Sequence, residues 1–136
     1  MNKSITQEEP MGCGIACVAL ILNKSYKSAK NLFDNPEYSI KKGYFCRELV
    51  KVLNKNGVNY NFSKINEDNK YLLNKEGVIA FLEKSQKYPS GHYLVKTKKG
   101  WMNPWINLPN INSAKSGFQK KLPGKVKWVI YPVLEF

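Results

Sequence analysis

Three side chains here can do nucleophilic chemistry together although they lie far apart in the chain: Cys13, His92 and Asn103. Cys13 stands between Gly12 and Gly14 and opens an apolar run over residues 15–22. A thiol at the N-terminus of a buried helix meets unpaired backbone N–H groups and the positive end of the helix dipole, both of which favour thiolate. Gly12 and Gly14 remove side chains that would stand between the sulfur and a substrate carbonyl. Upstream, Gln7 can supply one oxyanion donor and the Cys13 N–H the other. Thiol catalysis also needs a base and a group that orients the base. His92 is the only histidine. Asn103 can accept a ring N–H through its side-chain oxygen, leaving the other ring nitrogen for the thiol, with Pro104 and Trp105 shielding the pair. Plainer readings exist for each residue alone: a small buried cysteine, a loop-end histidine, a turn asparagine before proline. The case for chemistry rests on the order and placement of the four.

Those residues need a fold that gathers them. Residues 1–11 read as an extended arm, since Pro10 discourages helix before it. Residues 14–24 are apolar almost all round, which predicts a helix buried through the centre. Further helices are expected over 26–33, ended by Asp-Asn-Pro at 34–36, and over 46–56, with Gly57 as the stop; residues 36–43 read as a loop between them. Beyond Gly57 the pattern changes to period two. Residues 58–65 alternate, 66–75 are polar and turn-like, and 77–82 form a compact apolar strand. After a loop over 84–91, a strand over 92–98 turns at Lys99-Gly100 into 101–105. If these two strands pair, His92 and Asn103 come close together. Residues 108–122 read as a long loop with a short helix. Residues 125–134 read as a closing strand, which Pro132 marks as an edge or an irregular end. Helices first and an antiparallel meander afterwards make the class α+β.

The whole chain sets bounds on function. A length of 136 residues predicts one domain, 1–136, and 43% hydrophobic with 24% charged residues is the composition of an ordinary soluble protein. No apolar run nears the roughly 20 residues of a membrane span. The start, Met-Asn-Lys-Ser, is not a secretory signal, so a cytoplasmic location is expected, with export by another route left open. Cys13, Cys17 and Cys46 cannot all pair within one chain, which fits reduced thiols. Without a Cys-x-x-Cys or a histidine nearby, Cys13 and Cys17 lack the ligand set of a zinc site, and no metal or cofactor is expected. The net charge is +12, carried by lysines apart from the single Arg47. Arginine is the usual reader of base edges, so nucleic acid is not the expected partner, whereas acidic partners are.

Four segments carry a resemblance to a known family. These are Gln7-x5-Cys13 with Cys13-Gly14-x-Ala16; Gly43 with Glu48-Leu49 and Leu53-x3-Gly57; Gly77-Val-Ile-Ala-Phe-Leu82; and Gly91-His-Tyr-Leu-Val95 with Asn103-Pro104. Together they resemble the papain-like cysteine peptidases, most closely the bacterial C39 group that processes bacteriocin precursors with double-glycine leaders. The resemblance covers roughly residues 5–106. It implies a papain-like fold, N-terminal helices packed on a curved antiparallel sheet with a cleft between. It also implies Cys13 as nucleophile, His92 as base and acid, Asn103 as orienter and Gln7 as oxyanion donor. Gly12, Gly14, Gly91 and Trp105 would line the substrate site. The third member in that group is usually aspartate; Asn103 is the residue typical of papain itself. The expected substrate is a peptide or protein, acidic or glycine-containing.

Two other readings compete with hydrolysis. One keeps the fold as a weakly active or inactive module that binds a peptide or protein in the cleft. The other uses the lysine excess, with Trp101, Trp105 and Trp128 for stacking, to bind nucleic acid; such binding would collapse between low and physiological salt.

Overall fold

The computed structural model of the chain describes residues 3–109 and 111–133. Met1 and Asn2 of the expected arm, Asn110 of the long loop and Leu134 of the closing strand lie outside the described residues. Four helices come first: α1 (Cys13–Leu22), α2 (Tyr26–Lys30), α3 (Tyr38–Lys41) and α4 (Cys46–Lys55). Every residue of α1 from Cys13 to Leu20 is buried, as its unbroken apolar composition requires. It stops where Asn23 takes a left-handed backbone (φ 56°) and turns its N–H back to the carbonyls of Ala19 and Leu20. Asparagine is one of the few residues that tolerates that conformation. α4 has two faces, with Leu49, Val52 and Leu53 buried. Its start is fixed by Glu48, whose carboxylate accepts the Phe45 N–H at 2.6 Å. The stretch read as a loop at 36–43 holds the short α3. α2 is shorter than the expected 26–33, because the chain turns after Asn31.

Six strands form one antiparallel sheet: β1 (Tyr60–Lys64), β2 (Ile79–Leu82), β3 (His92–Thr97), β4 (Gly100–Asn103), β5 (Gly117–Gln119) and β6 (Val126–Pro132), in the order β1-β6-β2-β3-β4-β5. Three expectations need correction here. The meander runs only through β2 to β5, since β6 inserts between β1 and β2. The closing strand is therefore interior, and Val129 and Ile130 are fully buried. Pro132 is compatible with this because the β2 ladder stops at Ile130 while Pro132 faces Tyr60 of β1, so its missing donor interrupts no bond to β2. The region read as a loop over 108–122 also contains β5.

Both faces of the sheet are covered. Ile79, Tyr93, Val95, Met102 and Ile130 pack with α1 and α4, whereas Ala80, Leu82, Leu94 and Trp101 pack under loops with Tyr88. This explains why residues 77–82 read as a continuous apolar run rather than an alternating one. Each fully buried Leu or Ile contributes about 1.5–3 kcal/mol.

Candidate active site

α1 begins at Cys13, β3 begins at His92 and β4 ends at Asn103. The β3–β4 ladder pairs Val95 with Met102 and Thr97 with Gly100, so Lys98 and Lys99 form the connecting turn. That register carries His92 and Asn103 to the same end of the hairpin. His92 Nε2 and Asn103 Oδ1 are 2.8 Å apart, and both residues are almost fully buried. The Asn103 amide has its own partners. Its Oδ1 also accepts the Trp105 backbone N–H at 3.0 Å, and its Nδ2 donates to Gln119 Oε1 at 2.8 Å. A carbonyl oxygen only accepts, so the proton in the His92–Asn103 bond belongs to His92 Nε2 and Nδ1 carries the lone pair. Tyr88 stacks on the imidazole with centroids 4.3 Å apart and planes 1° from parallel. Burial, with the nearby Lys87 charge, pushes the His92 pKa down to about 4 against the opposing pull of the Asn103 bond. The ring is neutral at pH 7.

Cys13 is 9% exposed. Its sulfur faces the backbone N–H groups of Tyr93, Gly14 and Cys13 itself, which stabilise a thiolate; burial outweighs them and pushes the thiol up to about 11. No side chain caps the N-terminus of α1, so its first N–H groups remain directed at this end. Packing of α1 on β3 thus puts the sulfur against the residue that follows His92. Among the described residues, no hydrogen bond joins the sulfur to the imidazole.

The remaining expected site residues divide. Gly91 lines a cleft of about 360 Å³ together with Cys13 and Tyr93. Gly12, Gly14 and Trp105 are not among the residues that line that cleft. A Cβ on Gly12 would fall 1.9 Å from the Tyr26 hydroxyl, and one on Gly14 would fall 3.0 Å from Leu49. Their lack of side chains serves packing at the root of α1. Gly12→Ala is expected to cost about 1–3 kcal/mol by overpacking; an unchanged urea midpoint would refute that account. Trp105 is buried, and its Nε1 has no hydrogen-bond partner among the described residues. Gln7 is buried too: its Nε2 donates to the carbonyls of Glu9 (3.0 Å) and Pro10 (3.2 Å), its Oε1 has no partner among the described residues, and its backbone N–H bonds to Pro104 O. Both of its amide protons are thus engaged with the loop that leads into Cys13.

Lys42, Lys84 and Lys127 stand on the cleft, with Phe45, Phe81 and Trp128 as apolar wall. The wall continues into a recess of about 300 Å³ that adds Cys46, Arg47 and Phe62. Among the described residues, no carboxylate lines either. Tyr88, Tyr93 and Gln119 were missed in the sequence. Tyr93 is adjacent to His92, but nothing local marks its N–H as the sulfur's neighbour; Gln119 lay in a stretch with no strand pattern.

Helices packed on an antiparallel sheet, with a thiol at the start of the first helix and a buried imidazole–amide pair at one end of the β3–β4 hairpin, fit the papain-like α+β class. Within it the chain belongs to the Peptidase C39 family, whose model matches residues 1–120. Among curated proteins, none matches the chain. Family membership supports a cysteine-peptidase-like function in general, with a peptide or protein as substrate. No helix of the described residues is long and apolar enough to cross a membrane.

Proposed function

We propose that residues 1–136 act as one peptidase domain that cleaves peptide bonds through Cys13, His92 and Asn103. The observation that carries this reading is the buried His92–Asn103 hydrogen bond, one residue from the backbone N–H that meets the Cys13 sulfur. The thiol proton passes to His92 Nδ1 as sulfur attacks the carbonyl carbon and the S–C bond forms. Catalytic hydrogen bonds are often long before substrate binds and tighten in the complex, so the thiol–imidazole contact forms in that complex. The Cys13 N–H holds the oxyanion. Gln7 joins it by releasing the longer of its two bonds, to Pro10. His92 then returns the proton to the leaving amine as the C–N bond breaks. Water, deprotonated by the same ring, releases the acid from the thioester and restores the thiol.

Among the described residues, four cations and no carboxylate surround an apolar wall, which selects a peptide with acidic residues beside a bulky apolar one. The test is hydrolysis of a peptide set varied in charge, with products read by mass spectrometry. Acidic members are expected to be cleaved first. Lys84→Glu with Lys127→Glu is expected to raise KM for them roughly tenfold at low salt, as two exposed pairs are reversed, with kcat little changed. Equal cleavage of basic and acidic peptides would defeat the charge argument.

A further inference from the structure

We propose that Gln119, from β5, is a positioning residue that holds the Asn103 amide with its oxygen toward His92. The inference rests on the proposed role of Asn103 and extends it to a residue in the part of the chain that sequence motifs leave unassigned.

An asparagine in this place has a difficulty that a carboxylate lacks. A carboxylate presents oxygen whichever way it turns, whereas an amide presents oxygen on one side and N–H on the other. Only the oxygen-inward orientation lets His92 keep its proton on Nε2 and its lone pair on Nδ1. Turned by 180°, the amide would set its NH2 against both the imidazole N–H and the Trp105 N–H. The Trp105 N–H favours the correct sense at the oxygen end. At the nitrogen end, Gln119 Oε1 accepts at 2.8 Å, while the other neighbour, the Tyr88 hydroxyl, is 3.5 Å away. Gln119 is itself oriented, because its Nε2 donates to the Lys121 carbonyl at 2.8 Å. Its oxygen is therefore the end that meets Asn103.

The strand register shows how the contact is built. Gln119 lies opposite Trp101 and Gly117 lies opposite Asn103. Gln119 and Asn103 are thus diagonal neighbours on one face, within reach of a long side chain. The position facing Asn103 directly is a glycine, which leaves the path open. β5 is held close at this point: Gly100 has φ +111°, and a Cβ there would fall 2.7 Å from Gln119 O.

The experiment uses the single histidine, whose ring nitrogens give one unambiguous set of 15N signals at pH 7. Wild type is expected to show Nε2 protonated and Nδ1 bare. Gln119→Met, which keeps bulk but removes the acceptor, is expected to introduce a visible population of the opposite tautomer and to lower kcat about five- to tenfold, with KM within about twofold, as one hydrogen bond to a buried amide is lost. Gln119→Glu keeps an acceptor and is expected to restore the wild-type tautomer. In the Asn103→Asp background, Gln119→Met is expected to cost less than about twofold, because the orientation no longer matters. A wild-type tautomer in Gln119→Met, or an equal loss of kcat in both backgrounds, overturns the role of Gln119. A wild-type protein with the expected tautomer and no hydrolysis of any peptide would instead defeat the peptidase reading and leave the positioning intact.

Discussion

Cys13→Ala is expected to lower kcat for peptide hydrolysis by roughly 10⁴-fold or more while the fold and the peptide affinity persist. The magnitude follows from removing the sulfur that the proposed reaction acylates; the oxyanion N–H and the cleft remain and give only residual acceleration. The fold persists because the change deletes one atom at a site 9% exposed at the end of the core, at a cost of about 1 kcal/mol on the scale of buried truncations. Cys17→Ala is the control. That thiol is fully buried one helical turn further along α1, so its loss should affect the denaturation midpoint and not the rate. Alkylation gives an independent readout, with iodoacetamide expected to modify Cys13 in the cleft ahead of Cys46 and Cys17. Peptide turnover and calorimetric binding on the same variant separate the two principal readings. An enzyme loses turnover and keeps binding, whereas a module that only binds peptide would show no turnover in either protein. Wild-type hydrolysis by the Cys13→Ala protein would remove Cys13 from the chemistry altogether.

The parts of this site readable in the sequence are those set by local pattern. Cys13 opens a helix because an apolar run follows two glycines, and a turn read at Lys99-Gly100 joins two alternating strands; the ladder sets that turn one residue earlier, at Lys98-Lys99, because Gly100 pairs with Thr97, and the resulting register brings His92 and Asn103 together. What was not readable depends on partners distant in the chain. β6 looked like an edge because it comes last and contains Pro132, yet its place between β1 and β2 is decided by which faces its apolar residues can bury. β5 has three residues and no alternation, so its existence follows from β4 offering a free ladder, not from its own composition. Gly12 and Gly14 carry a packing requirement that their neighbours in sequence do not reveal. A glycine beside a nucleophile suggests open space, but these two are demanded by Tyr26 and Leu49. Gln7, whose spacing from Cys13 suits an oxyanion donor, also braces the intervening loop with its amide, a second role that spacing does not reveal.

The second large effect is acid sensitivity, and its sign follows from the burial of His92. The folded protein holds the ring at about 4, first through burial and then through the Lys87 charge, with Asn103 opposing; an unfolded histidine titrates near 6.5. Between those values the unfolded chain binds a proton that the folded chain refuses. The stability contributed by the neutral ring is therefore complete above about pH 6.5 and is lost as pH falls toward 4. The span corresponds to about 3 kcal/mol. The part-buried Glu9 carboxyl, which burial pushes up but Lys30 and Tyr26 hold below its ordinary value, acts in the same direction, so the quantity to measure is the difference between wild type and His92→Gln in urea unfolding at pH 7 and pH 4, with the variant expected to be flatter by about that amount. The rate should follow the same group. With the thiol raised to about 11 by burial, the resting pair across the neutral range is thiol and uncharged imidazole. kcat/KM is then expected to hold level down to about pH 5 and to fall tenfold per unit below 4, as the base acquires its proton. The 15N signals of the one histidine report the same midpoint without any substrate. A midpoint near or above 6.5 would mean that the ring carries a proton at rest and is paired with a thiolate, and the neutral-pair mechanism would have to give way to an ion-pair one.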